Sequence, residues 1–143
     1  MRVRCIANTG SDLSEKSLDA GFSASSQFSI DIGGIYIVYA VNLWNGVISY
    51  LVDLSGNPPK WLSMPRWNPA ELFEIVDNRI PPNWCFDFRG YRKDYPLNAI
   101  CGYPELLDED HYDNLLEGEE EAMFVFLKRK KEVDEFYEPN DDG

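Results

Sequence analysis

Polar and apolar residues alternate over Arg2-Val3-Arg4-Cys5-Ile6-Ala7, with Val3, Cys5 and Ala7 on one side, and this predicts a first strand. Asn8-Thr9-Gly10-Ser11-Asp12 ends it as a turn. Over 11–29, Leu13, Leu18, Phe22 and Phe28 are spaced irregularly among serines, so the stretch reads as a long ordered loop with room for one short helical turn. The clearest pattern comes next. Gly33-Gly34 opens a run from Ile35 to Leu43 that is dense in β-branched and aromatic residues. Asn45-Gly46 then predicts a type I′ hairpin, because both central residues need positive φ and these two tolerate it. Val47 to Leu54 is the returning strand, closed by Ser55-Gly56-Asn57-Pro58-Pro59. Shorter strands are expected at 60–64, 72–77 and 84–88, with Asn68-Pro69 and Pro81-Pro82 as the turns around them.

The period changes after residue 90. Residues 91–107 read as an irregular aromatic connector carrying Tyr91, Tyr95 and Tyr103. Asp108 to Leu116 predicts a short helix capped by Asp108 or Asp110 and stopped by Gly118. A second helix is expected from Glu119 to Phe136, with Glu119-Glu120-Glu121 at its positive end and Lys128 to Lys131 nearer its negative end. Met123, Phe126, Leu127, Val133 and Phe136 fall on one face, which would pack against the strands. The expected fold is α+β, mainly β: a small antiparallel barrel followed by one or two C-terminal helices. It is a single domain over 1–137, with the barrel over about 2–90, the connector over 91–107, a helical acidic region over 108–137 and a frayed acidic tail over 138–143.

Composition narrows the function. The 143 residues suit one domain, and no apolar run reaches the roughly 18 residues of a membrane span. The start is too short and polar for a signal peptide, so a cytoplasmic location is expected. Three cysteines, Cys5, Cys85 and Cys101, read as reduced, mostly buried thiols rather than a disulfide framework. The net charge is -12, and it is lopsided: residues 105–143 hold 15 acids against 4 bases. Such a field disfavours direct nucleic-acid binding; it either attracts a basic partner or is a solvated acidic face that only aids solubility.

Catalytic chemistry is sparse. His111, the one histidine, stands among Asp108, Glu109, Asp110 and Asp113 and reads as a surface residue whose charged form those acids favour. No metal-ligand spacing and no phosphate-binding glycine loop occurs, so neither metal nor cofactor is expected. A carboxylate pair acting on a substrate is the remaining enzymatic reading, with no positional signal behind it. The aromatic residues say more. Tyr36, Val38 and Tyr50 belong to the barrel interior, whereas Trp67, Tyr91, Tyr95 and Tyr103 lie at strand ends or in the connector, where large rings serve equally as interface anchors or as lids over a barrel end.

The run Ile32-Gly33-Gly34-Ile35-Tyr36-Ile37-Val38-Tyr39, the hairpin through Tyr50 and Pro69 to Asp77 resemble an SH3-like barrel. The opening Arg4-Cys5-Ile6-Ala7-Asn8-Thr9-Gly10, the Tyr103-Pro104-Glu105 segment and the acidic helical end extend this. The chain is similar to small bacterial proteins that resemble immunity proteins of contact-dependent or polymorphic toxin systems. That resemblance implies a protein that binds and neutralises a cognate antibacterial toxin, a basic domain such as a nuclease. The expected contact residues are Glu105, Asp108, Glu109, Asp110, Asp113, Glu117, Glu119, Glu120 and Glu121, with Trp67, Tyr91, Tyr95 and Tyr103 as anchors. The alternative is a generic SH3-like adaptor that takes a peptide or protein in an aromatic groove.

Overall fold

A computed structural model describes residues 1–53 and 65–138. The strand expected at 60–64, the turn before it and residues 139–143 of the acidic tail lie outside the described residues. The fold is α+β, mainly β. Among the described residues, seven strands form one antiparallel sheet: β1 Arg2–Cys5, β2 Ile35–Trp44, β3 Val47–Asp53, β4 Pro65–Pro69, β5 Phe73–Asp77, β6 Cys85–Phe88 and β7 Leu97–Gly102. A five-residue helix, α1 Glu15–Asp19, interrupts the long loop, and α2 Glu109–Leu116 and α3 Glu120–Tyr137 close the chain.

The long hairpin organises everything else. Asn45 and Gly46 adopt φ of 47° and 79°, as the type I′ turn demands, and Trp44 pairs with Val47 across it. β3 covers one edge of β2. The opposite edge is shared: Ile35–Ile37 pair with β1, and Ala40–Trp44 pair with β7. The sheet therefore branches, as β4-β3-β2-β1-β5 in one direction and through β7 to β6 in the other. A 3-10 turn at Ala70–Leu72 joins β4 to β5, and no β4–β5 ladder closes the sheet among the described residues.

A bulge lets β2 serve two cores. The β2–β3 register shifts between Val38 and Ala40, so Val38, Tyr39 and Ala40 are all buried in succession. Val38 packs with Val3, Cys5, Tyr50, Val52, Leu72 and Phe73 on one side, under the loop residues Leu13 and Ile30. Tyr39 and Ala40 pack with Leu51, Ile100 and Tyr103 on the other, against Leu115 of α2 and Phe126, Val133 and Tyr137 of α3. Tyr39 also bonds α3 by its hydroxyl, donating to Asp134 Oδ1 at 2.7 Å and accepting from Lys130 Nζ at 2.9 Å. Of the expected α3 face, Phe126 and Val133 are buried and Met123 and Phe136 pack partly, whereas Leu127 is exposed.

Several expectations need correction. The connector 91–107 is not irregular throughout: β7 occupies 97–102 and carries the sheet past residue 90. Asn68-Pro69, expected as a turn, belongs to the edge strand β4; Pro65 opens this strand rather than ending one, and β4 pairs on β3 alone among the described residues. Cys85 is exposed, although Cys5 is buried. His111 is buried, not at the surface. Its Nε2 lies 2.8 Å from the Tyr103 hydroxyl, and burial outweighs Glu105 and Asp108 to push its pKa down. No helix among the described residues is long and apolar enough to cross a membrane.

Candidate functional site

The helices α2 and α3 lie over the β2–β3–β7 face, and the gap between α2 and the sheet is a cleft lined by aromatic, aliphatic, amide and charged side chains. It has a volume of about 210 Å³. Beyond the bulge, side chains of even-numbered β2 residues face it, so Asn42 and Trp44 enter from β2, with Trp67 from β4 and Leu97 and Ile100 from β7. Asp108, Glu109, Tyr112 and Asp113 enter from the start of α2. The helix spacing explains this set: Glu109, Tyr112 and Asp113 stand three or four residues apart and share one face. Trp67 meets Tyr112 edge-on at 6.1 Å, and the Tyr112 hydroxyl donates to the Pro65 carbonyl at 3.3 Å. The two rings thereby tie the helix to the edge strand.

The carboxylates of Asp108, Glu109 and Asp113 and the Arg89 guanidinium line the cleft, and the Arg66 guanidinium of β4 acts on the Tyr112 hydroxyl. Asp108 caps α2, its Oδ1 accepting from the Asp110 backbone N–H at 3.0 Å. Glu109 and Asp113 are exposed. Arg89 also lines the cleft, with its donors engaged: Nε donates to Asp87 at 2.9 Å, Nη1 to the Tyr95 hydroxyl at 3.0 Å, and Nη2 to the Leu107 carbonyl. Its approach to Glu109 is only 3.8 Å. The cleft therefore keeps a surplus of negative charge. At its base, Asn42 is 5% exposed and its Oδ1 has no hydrogen-bond partner among the described residues. Ser49, opposite Asn42 in the β2–β3 register, likewise leaves its hydroxyl unpaired.

The expected contact residues divide among several places. Trp67, Tyr95, Asp108, Glu109 and Asp113 meet in this cleft. Glu105, Asp108, Asp110, Glu119 and Glu121 line a separate acidic hollow of about 260 Å³ beside His111 and Asn114. Glu105 is engaged there, since Arg129 donates to both of its oxygens at 2.8 and 2.9 Å and holds the carboxyl below its usual range. Glu117 and Glu120 are exposed at the α2–α3 junction and line neither cavity. Tyr103 is a core residue, 1% exposed, and cannot anchor a partner in this fold. Tyr91 is 74% exposed but lies against the opposite face of the sheet.

That opposite face went unnoticed in the sequence. Val41, Leu43, Ile48, Phe86, Phe88, Ala99 and Cys101 line a shallow apolar depression of about 350 Å³, with Tyr91 packed edge-on to Phe88 at 5.7 Å. Phe86 is 67% exposed. Alternation along β2 and β6 marks Val41, Leu43, Phe86 and Phe88, but an apolar period of two does not say that nothing lies over them. Asn42, Trp44 and Tyr112 were also missed as cleft residues; the signal for Tyr112 was its spacing from Glu109. Comparison with protein-family models, with curated proteins and with solved structures gives no match.

Proposed function

We propose that this chain is an inhibitor of the immunity type, binding a basic protein toxin domain and neutralising it by occupancy. A nuclease is the toxin class that suits it, because a cleft built to hold phosphate is basic. The supporting observation is the cleft beneath α2, where the exposed carboxylates of Glu109 and Asp113 stand one turn apart over the aromatic rings of Trp67, Tyr95 and Tyr112. Carboxylates steer a basic partner into encounter, and rings at the base supply the area that slows its escape. The acidic hollow around Asp110, Glu119 and Glu121 extends the same field over the neighbouring surface. The test is co-expression with the toxin domain encoded beside this chain, followed by association kinetics over a salt series. Rescue of growth and an association rate that falls with salt support the reading; failure to rescue, or a tight partner that is itself acidic, defeats it.

A second reading has its own observation. The exposed Phe86, Phe88 and Tyr91 border a free edge, since β6 pairs with β7 alone among the described residues. An adaptor would lay a peptide or protein segment along that edge. Paired Phe86→Ala and Phe88→Ala substitutions that abolish partner binding, with Asp113→Asn leaving it intact, would favour the adaptor.

A further inference from the structure

The cleft under α2 carries more detail than a general attraction for basic proteins. Its volume of about 210 Å³ falls below the roughly 300 Å³ at which small-molecule sites begin, and suits a single long side chain. Its walls are aromatic, with Trp67 and Tyr112 set edge-on to one another. At the mouth, Glu109 and Asp113 project from adjacent turns of α2. At the base, the buried Oδ1 of Asn42 is an acceptor without a donor among the described residues. An unmade hydrogen bond at a buried polar atom is costly, so this atom is favoured to meet a donor that arrives from the cleft.

We propose that the cleft is a socket for one arginine side chain of the basic partner. The inference rests on the partner reading above and names the group that enters. A guanidinium is planar, stacks on aromatic faces and carries five donors in a fixed fork. It can give one edge to Asn42 Oδ1 and another to the carboxylate of Glu109 or Asp113 while its plane lies along the rings. A neutral alkyl chain would leave Asn42 unpaired, and a carboxylate would meet two others. An ammonium lacks the planar fork, so lysine is the poorer occupant.

The probe is N-acetyl-arginine N-methylamide, titrated into the whole 15N-labelled chain, with the neutral citrulline analogue as control. We expect saturable shifts at the Asn42 side-chain amide and the Trp67 indole N–H, with the citrulline analogue at least roughly fivefold weaker. Asp113→Asn, on the exposed face of α2, should weaken arginine binding with no change in melting temperature. Asn42→Val should weaken both analogues, since either head group can donate to Asn42 Oδ1, whereas Asp113→Asn should shrink the preference for arginine over citrulline; if the Asn42 variant unfolds, Asp113→Asn still decides. Equal shifts for both analogues, or shifts confined to Glu117–Glu121, overturn the socket. A salt-dependent toxin complex with an inert cleft would remove only the socket. Arginine binding without toxin neutralisation would remove only the functional reading.

Discussion

Phe126 tests how the helical layer is held on the sheet. Its ring is 1% exposed and packs edge-on to Tyr39 at 5.8 Å and tilted to Tyr103 at 6.4 Å, so it joins α3 to β2 and to the segment after β7. Truncating a fully buried phenylalanine costs about 3–5 kcal/mol, the lost transfer energy plus the cavity left behind. That is a large share of the roughly 5–15 kcal/mol that stabilises a domain. For a urea m-value near 2 kcal/mol/M, Phe126→Ala should lower the unfolding midpoint by about 2 M. Phe124 supplies the control. It lies on the same helix, two residues away, and is 70% exposed. Phe124→Ala should change stability by less than about 0.5 kcal/mol, since it removes little packing and introduces the best helix former. The assay is urea unfolding followed by far-UV circular dichroism and tryptophan fluorescence. Equal losses from the two variants would mean that α3 does not dock through this face, and the cleft beneath α2 would lose its support.

Other outcomes follow from single contacts. The His111 imidazole has a depressed folded-state pKa through burial, so the unfolded chain binds more protons just below pH 6.5; stability should be full above that pH and fall as pH drops through the window beneath it. Comparison of denaturation midpoints between His111→Gln and the parent across pH 5–7 isolates the imidazole, and parallel curves would refute its burial. Arg129→Met, which frees the Glu105 and Glu132 carboxylates, should cost roughly 1–2 kcal/mol by thermal melting, the exposure of both acids limiting the loss. At Gly10, an added Cβ would lie 1.9 Å from the Ser23 carbonyl oxygen, so Gly10→Ala should destabilise by about 1–3 kcal/mol and speed hydrogen exchange at the amide that bonds Ser26.

The hairpin was legible because its turn chemistry is local: Asn45-Gly46 fixes the turn, and the β-branched run fixes the strands on either side. β4 and β7 were not, for opposite reasons. Pro65 and Pro69 argue against a strand, yet β4 is an edge, where a missing N–H can face away from the ladder. Leu97-Asn98-Ala99-Ile100-Cys101-Gly102 has little strand propensity of its own; the open edge of β2 recruits it. Gly102 belongs there because an added Cβ would come within 2.7 Å of the Ala40 Cβ. No local pattern contains the residue across the ladder, so such strands emerge only from pairing.

The same division separates the readable from the unreadable parts of the site. Charge counting finds the acidic segment, but an acid's neighbours in sequence are not its neighbours in space. His111 sits among carboxylates along the chain, yet it shares a helical face with Leu115 and so turns inward to Tyr103. The spacing of His111 and Leu115 was the available clue, and the acids around them obscured it. Glu105 and Asp113 carry the same charge and lie eight residues apart. One is spent holding α3 through Arg129, while the other stands free at the mouth of a cleft. What distinguishes them is the partner each meets after folding. A field made by fifteen acids in the last 39 residues therefore narrows, among the described residues, to the few exposed carboxylates that no internal cation has claimed. Specificity must come from those few and from the rings and the unpaired amide beneath them, because the rest of the charge would attract any cation equally.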